Sequence, residues 1–234
     1  MSPSTQNWSQ RLALMQLADS FFPSGSFTFS HGLEALTQSR QVQTAKDFQE
    51  FLELLLHQKV GPTDLVALRH AYQASLNQDL AEIYQADHQL FAQTLVQDTR
   101  QAQQKSGRAL LMVARTTWPA LKLETLATDI SHQRCHGLHP IVFAVVGQVA
   151  TLTQEDTALA FLHGFITGLC GAAIRLGLFG HLQAQQILKT LAPTVTAVMN
   201  ESLSLSLEDM WACAPALEIA QMGHRQLSAR QFSN

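Results

Sequence analysis

The chain has 234 residues, 46% hydrophobic and 14% charged, with a formal net charge of −3. A chain of that length buries roughly three quarters of its unfolded surface, so it needs neither disulfides nor a structural metal to fold. The 15 Lys and Arg are scattered among 18 Asp and Glu, which argues against nucleic acid as the main ligand, since phosphate binding needs clustered cations.

Helical periodicity dominates the chain. Residues 1–10 are polar and lack the basic-then-apolar pattern of a signal peptide. Thr44, with Asp47 three residues on, reads as a capped helix start, and Phe48, Phe51, Leu52 and Leu55 recur on one face. Gly61-Pro62 predicts a stop, with Pro62 opening the next helix, which carries Leu65, Leu68, Ala71 and Tyr72 to a break near Asn77. Leu80, Ile83, Tyr84, Leu90 and Phe91 form a third stripe. A further helix runs from about Asp98 to Trp118-Pro119, and a shorter one over Leu121 to Ile130. Ile141 to Val146 is strand-like, but Pro140 and the apolar continuation through Val149 favour a buried helix. The expected architecture is all-α: a single-domain bundle of roughly ten helices over residues 1–234, with short connections and a buried apolar central helix.

That central helix is expected in Ala158 to Gly180, where Gly164 and Gly168 would let neighbours approach closely. Its length also suits a membrane span. However, His163 and Arg175 interrupt it, and a central Arg costs about 2.5–3.5 kcal/mol on insertion scales. The capped start at Thr153 is that of a soluble helix, and no membrane association is expected.

No phosphate loop, dinucleotide fingerprint or HExxH zinc motif occurs; Lys105-Ser106 follows Gln104, not glycine. Thr28-Phe-Ser30-His-Gly32 lacks the leading glycine of a nucleophile elbow. His132, Cys135, His136 and His139 form the one metal-like cluster, either loop histidines or the ligands of a metal carrier or metalloenzyme. Arg175 on an apolar helix must be paired, hydrogen-bonded or placed at an interface. Phe21, Phe22, Phe27 and Phe29 crowd a Pro-Ser-Gly-Ser turn, as a core plug or as interface anchors. Cys135, Cys170 and Cys213 are odd in number and far apart, the usage of reduced cytoplasmic thiols.

Leu17-Ala-Asp-Ser20, followed by Pro23-Ser-Gly25-Ser-Phe27-Thr-Phe-Ser30-His-Gly32-Leu-Glu34, resembles the N-terminal signature of the urease accessory protein UreF. Weaker matches follow in order: Arg100 and Gly107, His139-Pro140, Arg175-Leu176, Gly180-His-Leu-Gln183, and a tail from Pro215-Ala-Leu-Glu-Ile-Ala220 through His224 to Arg230-Gln-Phe232-Ser233. Departures include Asp98 where the family commonly has Glu, and Arg225 where Glu usually follows the histidine. The resemblance implies an all-α homodimer without catalytic residues or cofactor. Such a protein acts with the scaffold UreD (also called UreH) and the GTPase UreG on apo-urease, where nickel is inserted. Candidate partner-binding residues are Phe27, Phe29, Ser30, His31, Glu34, Arg100, Arg175, His224, Arg230 and Phe232. The tail at 215–234, amphipathic through Leu217, Ile219, Met222 and Leu227, is expected to order on the scaffold by helix-in-groove docking.

Overall fold

A computed structural model describes residues 8–23, 29–227 and 230–232, and for Arg225 the backbone alone. Every regular element among them is helical. In chain order these are α1 (Trp8–Ala18), α2 (Leu33–Gln38), α3 (Ala45–Leu55), a π-helical segment (Leu56–Leu65) and α4 (Val66–Leu76). Then come α5 (Leu80–Gln93), α6 (Gln97–Thr117), α7 (Leu121–Ser131), α8 (His139–Val149) and α9 (Gln154–Arg175). α10 (His181–Thr190), α11 (Ala192–Leu203), α12 (Pro215–Gly223) and a 3₁₀ turn (His224–Gln226) complete the chain. Trp8, Ser9 and Gln10, read with the polar tail, instead form the first turn of α1.

Thr44 caps α3 as its sequence dictates. Its hydroxyl accepts from the Asp47 N–H at 3.2 Å, while the Asp47 carboxylate accepts from the Thr44 N–H at 2.9 Å. Such reciprocal capping satisfies two of the donors a helix start leaves open. Phe48, Phe51, Leu52 and Leu55 are all buried. Thr153 caps α9 in the same manner, accepting from the Asp156 N–H at 3.0 Å.

The expected stop at Gly61-Pro62 does not occur. Helical structure is continuous from Ala45 to Leu76, because Pro62 sits inside a π segment. A proline within an α-helix lacks its N–H and collides with the carbonyl four residues back. The wider π turn accommodates both consequences. The Gln58 carbonyl at the start of this segment accepts the Cys213 N–H at 3.0 Å. The Thr63 hydroxyl serves the next carbonyl, that of Lys59, at 2.6 Å. Gly61 has its own reason: a Cβ there would lie 2.6 Å from Val198 Cγ1 on α11.

α8 is the most enclosed helix, with every residue from Pro140 to Gly147 buried. It packs against α4, α6 and α9. Full burial explains why its sequence has no helical polar face and reads as strand-like. One contiguous set of buried side chains links Ala13 on α1 to Phe232 near the C-terminus. α9 is long and apolar enough to cross a membrane, yet ten of its residues are buried in the protein core. Gly164 and Gly168 are not points of close approach, since a Cβ on either meets nothing within 4 Å. Close approach occurs at Gly147, where a Cβ would lie 2.5 Å from the Thr157 side chain, and at Gly107, where it would collide with the Gly137 carbonyl.

Candidate functional site

The predicted histidine cluster is dispersed by the loop between α7 and α8. Asp87, fully buried on α5, accepts the backbone N–H groups of His136, Gly137 and Leu138, the last two at 3.0 Å. This fixes a turn in which Gly137 takes a positive φ of 67°. The His136 ring then stacks on Phe91, with centroids 3.6 Å apart, whereas His139 points between Phe143 and Phe161. Cys135 is buried, and burial first, then Asp87 and Asp129, push its thiol up to about 12. His132 is exposed, and no group of three or more His, Cys, Asp or Glu among the described residues could hold a metal. The alternative reading as a metal carrier or metalloenzyme built on this cluster is therefore corrected.

A second buried carboxylate organises the other end of the molecule. Glu34 on α2 is 1% exposed and accepts from three groups of the C-terminal segment. These are His224 Nε2 at 2.7 Å, the Gln231 N–H at 2.7 Å and the Phe232 N–H at 3.3 Å. His224 is equally buried, so the pair is desolvated and depends on these bonds. Phe232 is buried beneath the Arg175 guanidinium, which lies 4.3 Å from its ring centroid. Arg175 is thus engaged by its own chain's tail at the end of α9.

The approach to this clasp is laced down along its length. Arg69 donates to the carbonyls of Leu203 and Leu205, Gln89 to that of Leu207 and Gln93 to that of Met210. Cys213 follows on Gln58, and Glu218 lies 4.0 Å from Lys59 Nζ. Gln221 accepts from the Thr99 hydroxyl at 2.9 Å and donates to the His31 carbonyl at 3.2 Å. Gly32, with φ of 89°, lets α12 pass: a Cβ there would lie 3.1 Å from Gln221 Cγ.

The structure therefore joins Glu34, Arg175, His224 and Phe232, with the His31 backbone, in one intramolecular clasp. Phe29 and Ser30 are buried beside it, and Arg230 is exposed. Arg100 stands apart, its guanidinium 4.9 Å from the Phe91 ring. Phe27 lies outside the described residues. The tail's apolar residues divide between two faces: Leu217 points inward, while Ile219 and Met222 are exposed. Sequence reasoning missed Lys59, Asp64, Thr99 and Gln221. Lys59 and Asp64 carried no readable signal, because the π segment shifts their phase relative to an α-helical count.

These features define an all-helical protein whose most developed polar site holds its own C-terminal segment. Comparison with known sequences gives that class its family. The UreF family profile matches residues 42–192. Urease accessory protein UreF of Trichodesmium erythraeum is 50% identical over 226 residues, covering 97% of each chain. The proteins of the same name from Bacillus sp. strain TB-90 and Geobacillus kaustophilus are each 31% identical, covering 94% and 95% of this chain and 97% of their own. The chain belongs to the UreF family of urease accessory proteins.

Proposed function

We propose that this chain is a non-catalytic, cytoplasmic subunit of urease maturation. As a homodimer it bridges the scaffold UreD (UreH) and the GTPase UreG on apo-urease. Nickel, the cargo, is inserted as UreG hydrolyses GTP, and this subunit tunes that hydrolysis. Family membership supplies the setting. The observation that carries the reading to particular residues is the outward face of the docked strap. Ile219 is 70% and Met222 53% exposed on α12, three residues apart on one side of a helix whose inner side is already anchored. An apolar stripe of this kind fits helix-in-groove recognition. Because the clasp residues hold the strap in place, they act on the interface through its position.

Co-purification with UreD and UreG, with and without GTP, tests this reading by light scattering. A defined complex that activates apo-urease with nickel is expected. The variant Ile219→Asp/Met222→Asp should keep its helicity and lose scaffold capture. A monomer that binds neither partner would overturn the reading. Arg175→Ala with unchanged assembly and activation would remove that residue from the interface.

A further inference from the structure

α6 departs from the charge balance of the rest of the chain. It carries Arg100, Lys105, Arg108 and Arg115 against one acid, Asp98, in a chain whose net charge is −3. Helical spacing sorts these groups onto one side. Lys105, Arg108, Met112 and Arg115 follow one another at three or four residues, and all four are exposed. Ala102, Ser106, Leu110 and Ala114, at the positions between, are buried.

A groove of about 300 Å³ lies between this basic strip and α7. Leu111 and Ile130 line it and are buried, and Ala127 beside them is half-buried. Met112, also lining it, is 67% exposed. An apolar trough with an uncovered methionine at its edge and cations along its rim is the layout of a peptide-docking surface, apolar at the centre and polar around it.

The charges along the rim are matched at one end and unmatched at the other. Arg115 Nε donates to Glu124 Oε1 at 2.9 Å, and a second guanidinium nitrogen donates to Glu124 Oε2. This two-point bridge ties α6 to the start of α7 and leaves Arg115 already paired. Arg134, past the end of α7, is likewise paired with Asp129. Lys105 and Arg108 have no ion-pair partner among the described residues. The carbonyl end of α7 lies near Arg108, but a helix end carries only roughly half a negative charge against two full cations. A ligand must therefore bring an apolar side chain for the trough and carboxylates for its Lys105–Arg108 end. Two free cations without a lining aromatic ring are a poor match for nucleic acid, which needs more phosphate contacts and stacking surfaces.

We propose that the α6–α7 groove docks an acidic peptide segment of a partner protein. An apolar residue of that segment covers Leu111, Met112 and Ile130, and its carboxylates pair with Arg108 and Lys105. The groove shares no residue with the strap or its clasp, so this is a second contact surface and does not depend on the urease reading.

The test uses the full chain and a fluorescein-labelled peptide, acetyl-Asp-Glu-Leu-Leu-Asp-Glu-amide, followed by fluorescence anisotropy and mapped by amide NMR. Control peptides replace the acids with Asn and Gln, or the leucines with Ser. The acidic peptide should bind about tenfold more tightly than either control. It should shift the amides of 108–112 and 127–131. Arg108→Glu should weaken binding about tenfold and Lys105→Glu about threefold, with circular dichroism unchanged. Met112→Asp, at an exposed position, should also weaken it about tenfold. Lys46→Glu makes the same charge change at an exposed site on α3 and should leave affinity within about twofold. Equal losses in Lys46→Glu and Arg108→Glu would reduce the effect to bulk charge and overturn the proposal. So would equal binding of the uncharged peptide, shifts confined to another surface, or no anisotropy change at about 1 mM protein. Capture of the chain by phosphatidylglycerol vesicles through Arg108, without peptide binding, would overturn it in favour of a lipid surface.

Discussion

Asp87 and Glu34 solve the same physical problem in different ways. Each is a buried carboxylate that accepts the backbone N–H groups of a non-helical segment. Asp87 holds three consecutive residues of one short loop, enclosed against α6 by the contact between Gly107 and Gly137. Glu34 holds residues about 190 positions away along the chain, and one of its partners is a histidine side chain. The first carboxylate shapes a loop that has no other place to go. The second holds the end of a strap whose outer face is exposed. Fixed architecture and a positionable surface thus come from the same chemical group, and sequence separation makes the difference.

The sharpest way to break this comparison is Asp87→Ala, which leaves two buried N–H groups and one part-buried N–H group without an acceptor. Its expected cost is about 3–5 kcal/mol, a loss of about 6–20 °C in Tm for a chain of this size. A Tm within 2 °C of wild type would show that the loop is held by packing alone. Glu34→Gln should cost less, about 1–3 kcal/mol, because an amide retains one acceptor. Limited proteolysis should then cut near 224–232 before the core unfolds. Simultaneous loss of both would erase the distinction between the two sites.

Acid sharpens the comparison with an intermediate effect. His31 and His139 are pushed by burial from 6.5 to about 4, so the unfolded chain takes up their protons first as pH falls. The stability present above pH 6.5 is therefore lost toward pH 4. Asp64, raised by burial from 3.8 to about 6, works in the opposite sense and returns part of it between those values. Two histidines outweigh one carboxylate, so Tm should fall between pH 6.5 and 4, and His139→Gln should flatten the profile. Hydrogen exchange should show amides 224–227 losing protection before 136–138. The smallest effect is that of Arg175→Ala, about 0.5–1 kcal/mol from the contact with Phe232. A double-mutant cycle with Phe232→Leu should return that coupling, and a value near zero would detach Arg175 from the clasp.

The helical class was legible because Phe48, Phe51, Leu52 and Leu55, and the caps at Thr44 and Thr153, obey local rules. Pro62 misled because a π segment admits it, and the contact that braces this segment at Gln58 comes from Cys213, far along the chain, where no local rule can see. His132 to His139 looked like a ligand set because spacing was readable and direction was not; Asp87 turns the loop so that His136 and His139 face different rings. Arg175 was legible from its charge on an apolar helix, and Glu34, His224 and Phe232 through the family resemblance, yet their mutual contact was invisible until α2, α9 and α12 were brought together. Gly164 and Gly168 were read as packing residues, but the space beside them is open.

The π segment has a consequence for how this gene can change length. An α-helix turns about 100° per residue, and π-bulges arise as single-residue insertions whose surplus is absorbed locally. Deleting one residue between 56 and 65 would rotate everything before it by roughly that angle against α4. Lys59 would leave Glu218, and the Gln58 carbonyl would turn away from Cys213. Reading frames that gain or lose a codon here should therefore be purged, whereas insertions after Leu76, where a helix already ends, should be tolerated.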